Sequence, residues 1–284
     1  MKKILVSMLT LAAVLVVLPM FAAFEAHVIN VTATIENALS VPVTPIEFGT
    51  VFPQEELNKT LDINLSGSFL TEGRVDDVEY IIRQKPKCAV TSEDGTQIIG
   101  DTWTGHVIPD NSEQGYRVDC DTDKPDEVIT DNYAVLPSLC QYISKHPDGK
   151  DITASLDNPN GNDGSLNSFH QPWTVVVNGN NPDTVVVEID WTGIVWTDVK
   201  GRLAKSQQDE TDTWTIDLAV PCFGGYCAQD WASFVESVNP GASPDEFVQD
   251  KNNEHKVFGC DLWVEVTGVS EDTTPDDDGE STPT

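Results

Sequence analysis

Residues 214–220 read W-T-I-D-L-A-V: Trp214, Ile216, Leu218 and Val220 are apolar at every second position, with Thr215, Asp217 and Ala219 between them. A period of two belongs to the β-strand, whose successive side chains point to opposite faces, so this stretch predicts a strand with one buried side. The same period recurs on either side of it. Ile29, Val31, Ala33 and Ile35 alternate with Asn30, Thr32 and Thr34, and Leu61, Ile63 and Leu65 alternate with Asp62, Asn64 and Ser66. Val78, Tyr80 and Ile82 stand opposite Glu79 and Arg83, and Leu262, Val264 and Val266 opposite Trp263 and Glu265. Thr174–Val177 and Thr184–Trp191 flank N-G-N-N-P-D at 178–183, which predicts a hairpin with a long loop. Short alternating strands separated by Gly, Pro, Asn and Asp predict an all-β fold, a two-sheet antiparallel sandwich.

Helix is expected to be minor. Cys227, Trp231, Phe234, Val235 and Val238 follow helical spacing over about three turns, and Pro137–Ser144 offers a second short helix. Cys120–Asn132 and Asp148–Ser168 are polar, turn-rich and irregular. The sandwich is expected over residues 26–268, followed at 269–284 by an acidic tail without large apolar residues, which predicts disorder.

The chain opens with Met1-Lys2-Lys3 and then runs from Ile4 to Phe24 without a charge. This is the pattern of an export signal over residues 1–25. The run approaches the length of a membrane span, so a cleaved signal and a retained anchor both stay open. Pro19 and the small residues Ala22, Ala23 and Ala26 favour cleavage. Export predicts an extracellular or cell-surface protein, touching membrane only through an uncleaved leader.

The formal net charge of −31, from 47 acidic and 16 basic residues, excludes a nucleic-acid partner, which requires a basic footprint. Six cysteines, Cys88, Cys120, Cys140, Cys222, Cys227 and Cys260, form an even set. In an exported chain they predict three disulfides, with fifteen connectivities open. Cys222–Cys227 is favoured because Phe223-Gly224-Gly225-Tyr226 closes a short flexible loop.

The search for chemistry returns little. The histidines, His27, His106, His146, His170 and His255, are scattered, with no spaced pair to hold zinc. No nucleophile elbow or phosphate loop occurs, and the paired cysteines are not nucleophiles. The expectation is therefore a protein that is not an enzyme and carries no cofactor. Calcium is the one metal with a candidate: Asp119, Asp121, Asp123 and Asp126 crowd one loop, and Asp157, Asn160, Asn162 and Asp163 another. Neither loop follows the EF-hand pattern, and a solvated acidic loop is the simpler reading. Trp191, Trp214 and Trp231 fall in core phase, whereas Trp103 and Trp173 are candidates for a sugar-stacking face.

Behind the leader come A-F-E-A-H-V-I-N-V-T-A-T-I-E-N-A-L (23–39), I-E-F-G-T-V-F-P-Q-E-E-L (46–57), L-D-I-N-L-S-G-S-F (61–69) and D-V-E-Y-I-I (77–82). This order resembles the TasA/camelysin family of exported biofilm-fibre proteins, over roughly residues 22–84. Gln54 stands where the family commonly has a turn glycine, and six cysteines are not typical of it. The resemblance implies a jelly-roll-like sandwich whose partners are other copies of itself or related fibre subunits. It also implies that the segment behind the leader leaves its own domain and completes a neighbour's sheet, with Ile29, Val31, Ala33 and Ile35 as its apolar face. The leading expectation is thus an exported structural protein that forms or decorates a surface fibre or matrix. The alternatives are an anchored or secreted module binding glycan or calcium-bridged partners, and a camelysin-like protease.

Overall fold

The computed structural model describes residues 34–110, 115–128, 133–149, 164–175 and 193–271. Asn37–Thr284 form one compact unit and Met1–Glu36 another, of which Thr34–Glu36 are described and exposed.

The alternating stretch that begins at Trp214 lies in β12 (Thr211–Ala219), which pairs antiparallel with β2 (Glu56–Leu65). The register is unbroken from Glu56 opposite Ala219 to Asn64 opposite Thr211. A two-residue strand, β1 (Leu39–Ser40), joins the other flank of β2 and completes a sheet of order β1-β2-β12. A second sheet has the order β11-β3-β13, built from β3 (Val75–Lys85), β11 (Val199–Ala204) and β13 (Asp261–Glu271).

One core lies between them. Leu61, Ile63 and Leu65 of β2 and Trp214, Ile216 and Leu218 of β12 are buried together with Val78, Tyr80 and Ile82 of β3 and Val199 and Leu203 of β11. Burial of alternate residues from two facing sheets is what holds a sandwich together, because each sheet has only one apolar face to cover. The fold is therefore all-β and sandwich-like, as the alternation predicts. Among the described residues its two sheets have three strands each, fewer than those of a jelly roll.

Pro86 explains part of the fragmentation. It cannot donate to a ladder, so β3 ends at Lys85 and the chain passes into a separate sheet. That sheet has the order β5-β4-β8, from β4 (Lys87–Thr91), β5 (Ile98–Thr104) and β8 (Tyr133–Val135). Two hairpin-like pairs complete the described strands: β6 (His106–Asp110) with β7 (Gly115–Asp119), and β9 (Trp173–Val175) with β10 (Ile194–Trp196). The hairpin expected across 174–191 lies mostly outside the described residues, and the partner seen for Trp173–Val175 is the later Ile194–Trp196.

Helix is minor, as expected. α1 (Gly67–Thr71) is one short turn started by Ser66, whose Oγ accepts from Phe69 N at 3.1 Å. α2 (Trp231–Val238) is the helix foreseen from its spacing, but eight residues long, with Trp231 and Val235 buried and Phe234 and Val238 against the core. Over Pro137–Ser144 only a 3-10 turn forms, at Cys140–Tyr142. The backbone there bonds to other parts of the fold instead: Leu139 N donates to Gly259 O (2.9 Å) and Ser144 N to Asp217 O (2.8 Å).

All six cysteines are paired, as Cys88–Cys120, Cys140–Cys260 and Cys222–Cys227. Their Cα atoms lie 5.9, 5.1 and 5.1 Å apart, within ordinary disulfide reach. Three such bonds fit an oxidising setting.

Candidate functional site: an open sheet edge

The side chains of β2 alternate between core and solvent, and its main-chain groups alternate as well. Leu65 N donates to Glu210 O at 3.0 Å and Val220 N donates to Glu55 O at 2.9 Å, so the odd-numbered residues bond towards β12. Even-numbered residues turn the other way, as Ser66 shows by donating to Ala38 O at 2.8 Å. Asn58, Thr60 and Asp62 therefore aim N–H and C=O away from β12. None of these groups has a hydrogen-bond partner among the described residues. β1 covers only the end of this flank, at Asn64 and Ser66. Among the described residues, the ladder along most of this ten-residue strand is therefore unpaired on that flank.

The flank is suited to an extended segment with alternating side chains. Leu61 and Ile63 in its inward phase are buried, Leu57 is half-buried, and Lys59 of the same phase reaches solvent. The edge at β13, one of the other described edges, differs. β13 carries register breaks between Val266 and Gly268 and between Val269 and Glu271. Bulges twist an edge and spoil a straight ladder, which protects it from pairing with another chain. The β2 flank has no such device in its register with β12.

Of the residues expected in a donated strand, Ile29, Val31 and Ala33 lie outside the described residues. Ile35 is described, and it is 94% exposed.

The acidic loop is engaged locally. Asp119 accepts from Asp121 N (2.8 Å) and from the Thr122 hydroxyl (2.6 Å), and these bonds hold its carboxyl below the usual range. Asp121 accepts from the Tyr133 hydroxyl, Asp123 meets His106 Nε2 at 2.5 Å, and Asp126 is exposed. Among the described residues no group of three or more His, Cys, Asp or Glu side chains is placed to hold a metal ion. The second acidic loop, Asp157 to Asp163, lies outside the described residues.

Trp103 and Trp173, the two candidates for a sugar face, are both buried. Trp103 donates to Cys120 O at 2.8 Å beside the Cys88–Cys120 disulfide, and Trp173 packs with Val107 and Cys140. They are core residues of satellite clusters, because each covers a disulfide that the small sheets cannot bury alone. Trp214 and Trp231 are buried as their phase predicts, and Trp191 lies outside the described residues. Among the described residues no helix is long and apolar enough to cross a membrane.

A buried polar group behind β12 is absent from the sequence reading. Lys145 is fully buried, with Nζ 3.4 Å from Ile82 O. Near it His170 Nε2 meets Gln84 Oε1 at 2.6 Å, and Gln84 Nε2 donates to Cys140 O at 2.8 Å. Burial drives the Lys145 ammonium down to about 7, although Asp198 pulls the other way. An unfolded lysine keeps its proton to about 10.5. Between these values the unfolded chain holds a proton that the folded chain has lost, so stability rises with pH across that window. Lys145→Met should remove this rise. Urea titrations at about pH 6.5 and 9.5 should show the variant more stable at the lower pH, by ~3 kcal/mol, with the gap shrinking at the higher. A gap independent of pH would show that Lys145 keeps an ordinary proton affinity.

A scan against protein-family models, a search of curated proteins and a search of solved structures each returned no match.

Proposed function

We propose that this protein is an exported structural subunit that assembles into, or decorates, an extracellular fibre or matrix by strand addition at the β2 flank. The observation that supports this reading is the ladder at Asn58, Thr60 and Asp62, regular in its register with β12 and without a main-chain partner among the described residues. The occupant is the segment behind the leader of a second copy, with Ile29, Val31, Ala33 and Ile35 at every second position. An added strand gains main-chain hydrogen bonds along the flank and sets its apolar face beside Leu61 and Ile63. Each copy offers one donor and one acceptor at different places, so the contact is head-to-tail and leads to an open filament. The leader supports delivery to the cell exterior, and the three disulfides support an oxidising destination.

The test uses negative-stain microscopy of the exported protein, with Thr60→Pro beside it. Thr60 is exposed and its N–H faces away from β12, so proline there removes a donor that no described residue uses. Filaments are expected from the unaltered protein and not from T60P, whose circular dichroism should stay that of the folded monomer. Monomers at every concentration and salt, or filaments unaffected by T60P, would overturn the proposal.

A further inference from the structure

β1 stops after two residues although its partner continues for eight more. The register gives the reason. Leu39 is opposite Leu65 and Ser40 opposite Asn64, so continuing the ladder places Pro42 opposite Asp62 and Thr44 opposite Thr60. Even-numbered residues of this segment face β2, since Ala38 O accepts from Ser66 N. Pro42 thus falls at the next position that must donate to β2, and proline has no N–H to donate. Its ring also holds φ near about −65°, away from the value of an antiparallel strand. The segment leaves the sheet here: Val43, which the continued register would turn inward opposite Leu61, is 98% exposed. Pro45, three residues later, falls opposite Lys59, where the main chain points away from β2.

We propose that Pro42 is a register stop that prevents the chain from completing its own sheet, and so reserves the Asn58–Asp62 ladder for a strand from a second copy. The inference rests on the strand-addition reading and names the residue that directs the addition between molecules. Without the stop, the segment already tethered at Ser40 would zip along β2. A tethered strand competes at high effective concentration against any free one. Proline at this single position removes the competitor and leaves the flank unchanged.

The experiment compares the exported protein with Pro42→Thr and Pro45→Thr, the second serving as a control of equal chemistry at an away-facing position. Amide hydrogen exchange is followed at Thr60 and Asp62 in dilute monomer, and assembly by sedimentation at high concentration. In P42T exchange at both amides should slow by about tenfold or more, and sedimentable material should fall by about tenfold. P45T should match the unaltered protein in both. Unchanged exchange in P42T, an equal effect of P45T, or undiminished assembly despite slowed exchange would each overturn the proposal. An unaltered protein that never assembles would overturn strand addition itself, and the contrast between P42T and P45T would still decide whether Pro42 is a stop.

Discussion

Gly201→Ala is expected to destabilise the protein by at least about 3 kcal/mol, measured as a lowered urea midpoint with an unchanged slope. Gly201 lies in β11 directly opposite Tyr80 of β3, and the Tyr80 ring leans across it. A Cβ at this position would sit 2.2 Å from Tyr80 Cζ and 2.3 Å from its hydroxyl oxygen, far inside contact distance. The ring has no free direction. Its hydroxyl donates to the Asp212 carboxylate and accepts from Trp214 Nε1 at 2.7 Å, and the Tyr80 and Trp214 rings meet edge to face. Moving Tyr80 breaks both bonds at the centre of the core and takes the tyrosine hydroxyl away from buried Asp212, which costs more than the lost contacts. The double variant with Tyr80→Ala should lose less than the sum of the single losses, because the ring that clashes is gone. Strict additivity would show that the close approach is not the cause.

Replacing Cys140 and Cys260 together by alanine is expected to cost about 5 kcal/mol, against about 2 kcal/mol for the Cys222/Cys227 pair. The first bond spans 120 residues and the second 5. Closing the longer loop removes far more freedom from the unfolded chain, which is where most of this stabilisation arises. Position adds to the difference. Cys140 is fully buried with Val107 and Trp173, and Cys260 packs against both that cluster and the main core, so the bond joins two hydrophobic clusters. Thermal unfolding under non-reducing conditions gives both values. Equal losses for the two pairs would reject loop length as the governing term.

Much of this architecture was legible in the residues. The alternation at Leu61–Leu65, Val78–Ile82 and Trp214–Leu218 named the strands and their buried faces correctly, because one-sided burial imposes period two directly on the chain. The spacing of Trp231, Phe234, Val235 and Val238 named α2 for the same reason at period 3.6. Pro137–Ser144 was misread as a helix because its backbone partners, Gly259 and Asp217, are distant in sequence and no local pattern announces them. Trp103 and Trp173 were candidates for ligand contact only because a tryptophan's burial depends on which small sheet closes over it. The alternation of Ile29, Val31, Ala33 and Ile35 stands in the sequence, whereas the flank of β2 left without a described partner does not. An edge strand and a central strand have the same alternation. The sign that is present, Pro42 just after β1, acquires meaning only once β1 and β2 are in register.

By itself the sequence determined the class of the fold, the faces of its main strands, the oxidised state expected of six cysteines and the presence of an alternating segment behind an uncharged apolar run. These follow from periodicity, composition and count, which are local properties of the chain. The tertiary structure alone decided which cysteines pair across 32 and 120 residues, which lysine is buried, and which strand has a flank without a partner among the described residues. Each of these depends on contacts between residues far apart in the chain, and the free energy that selects them exists only when the sheets have packed.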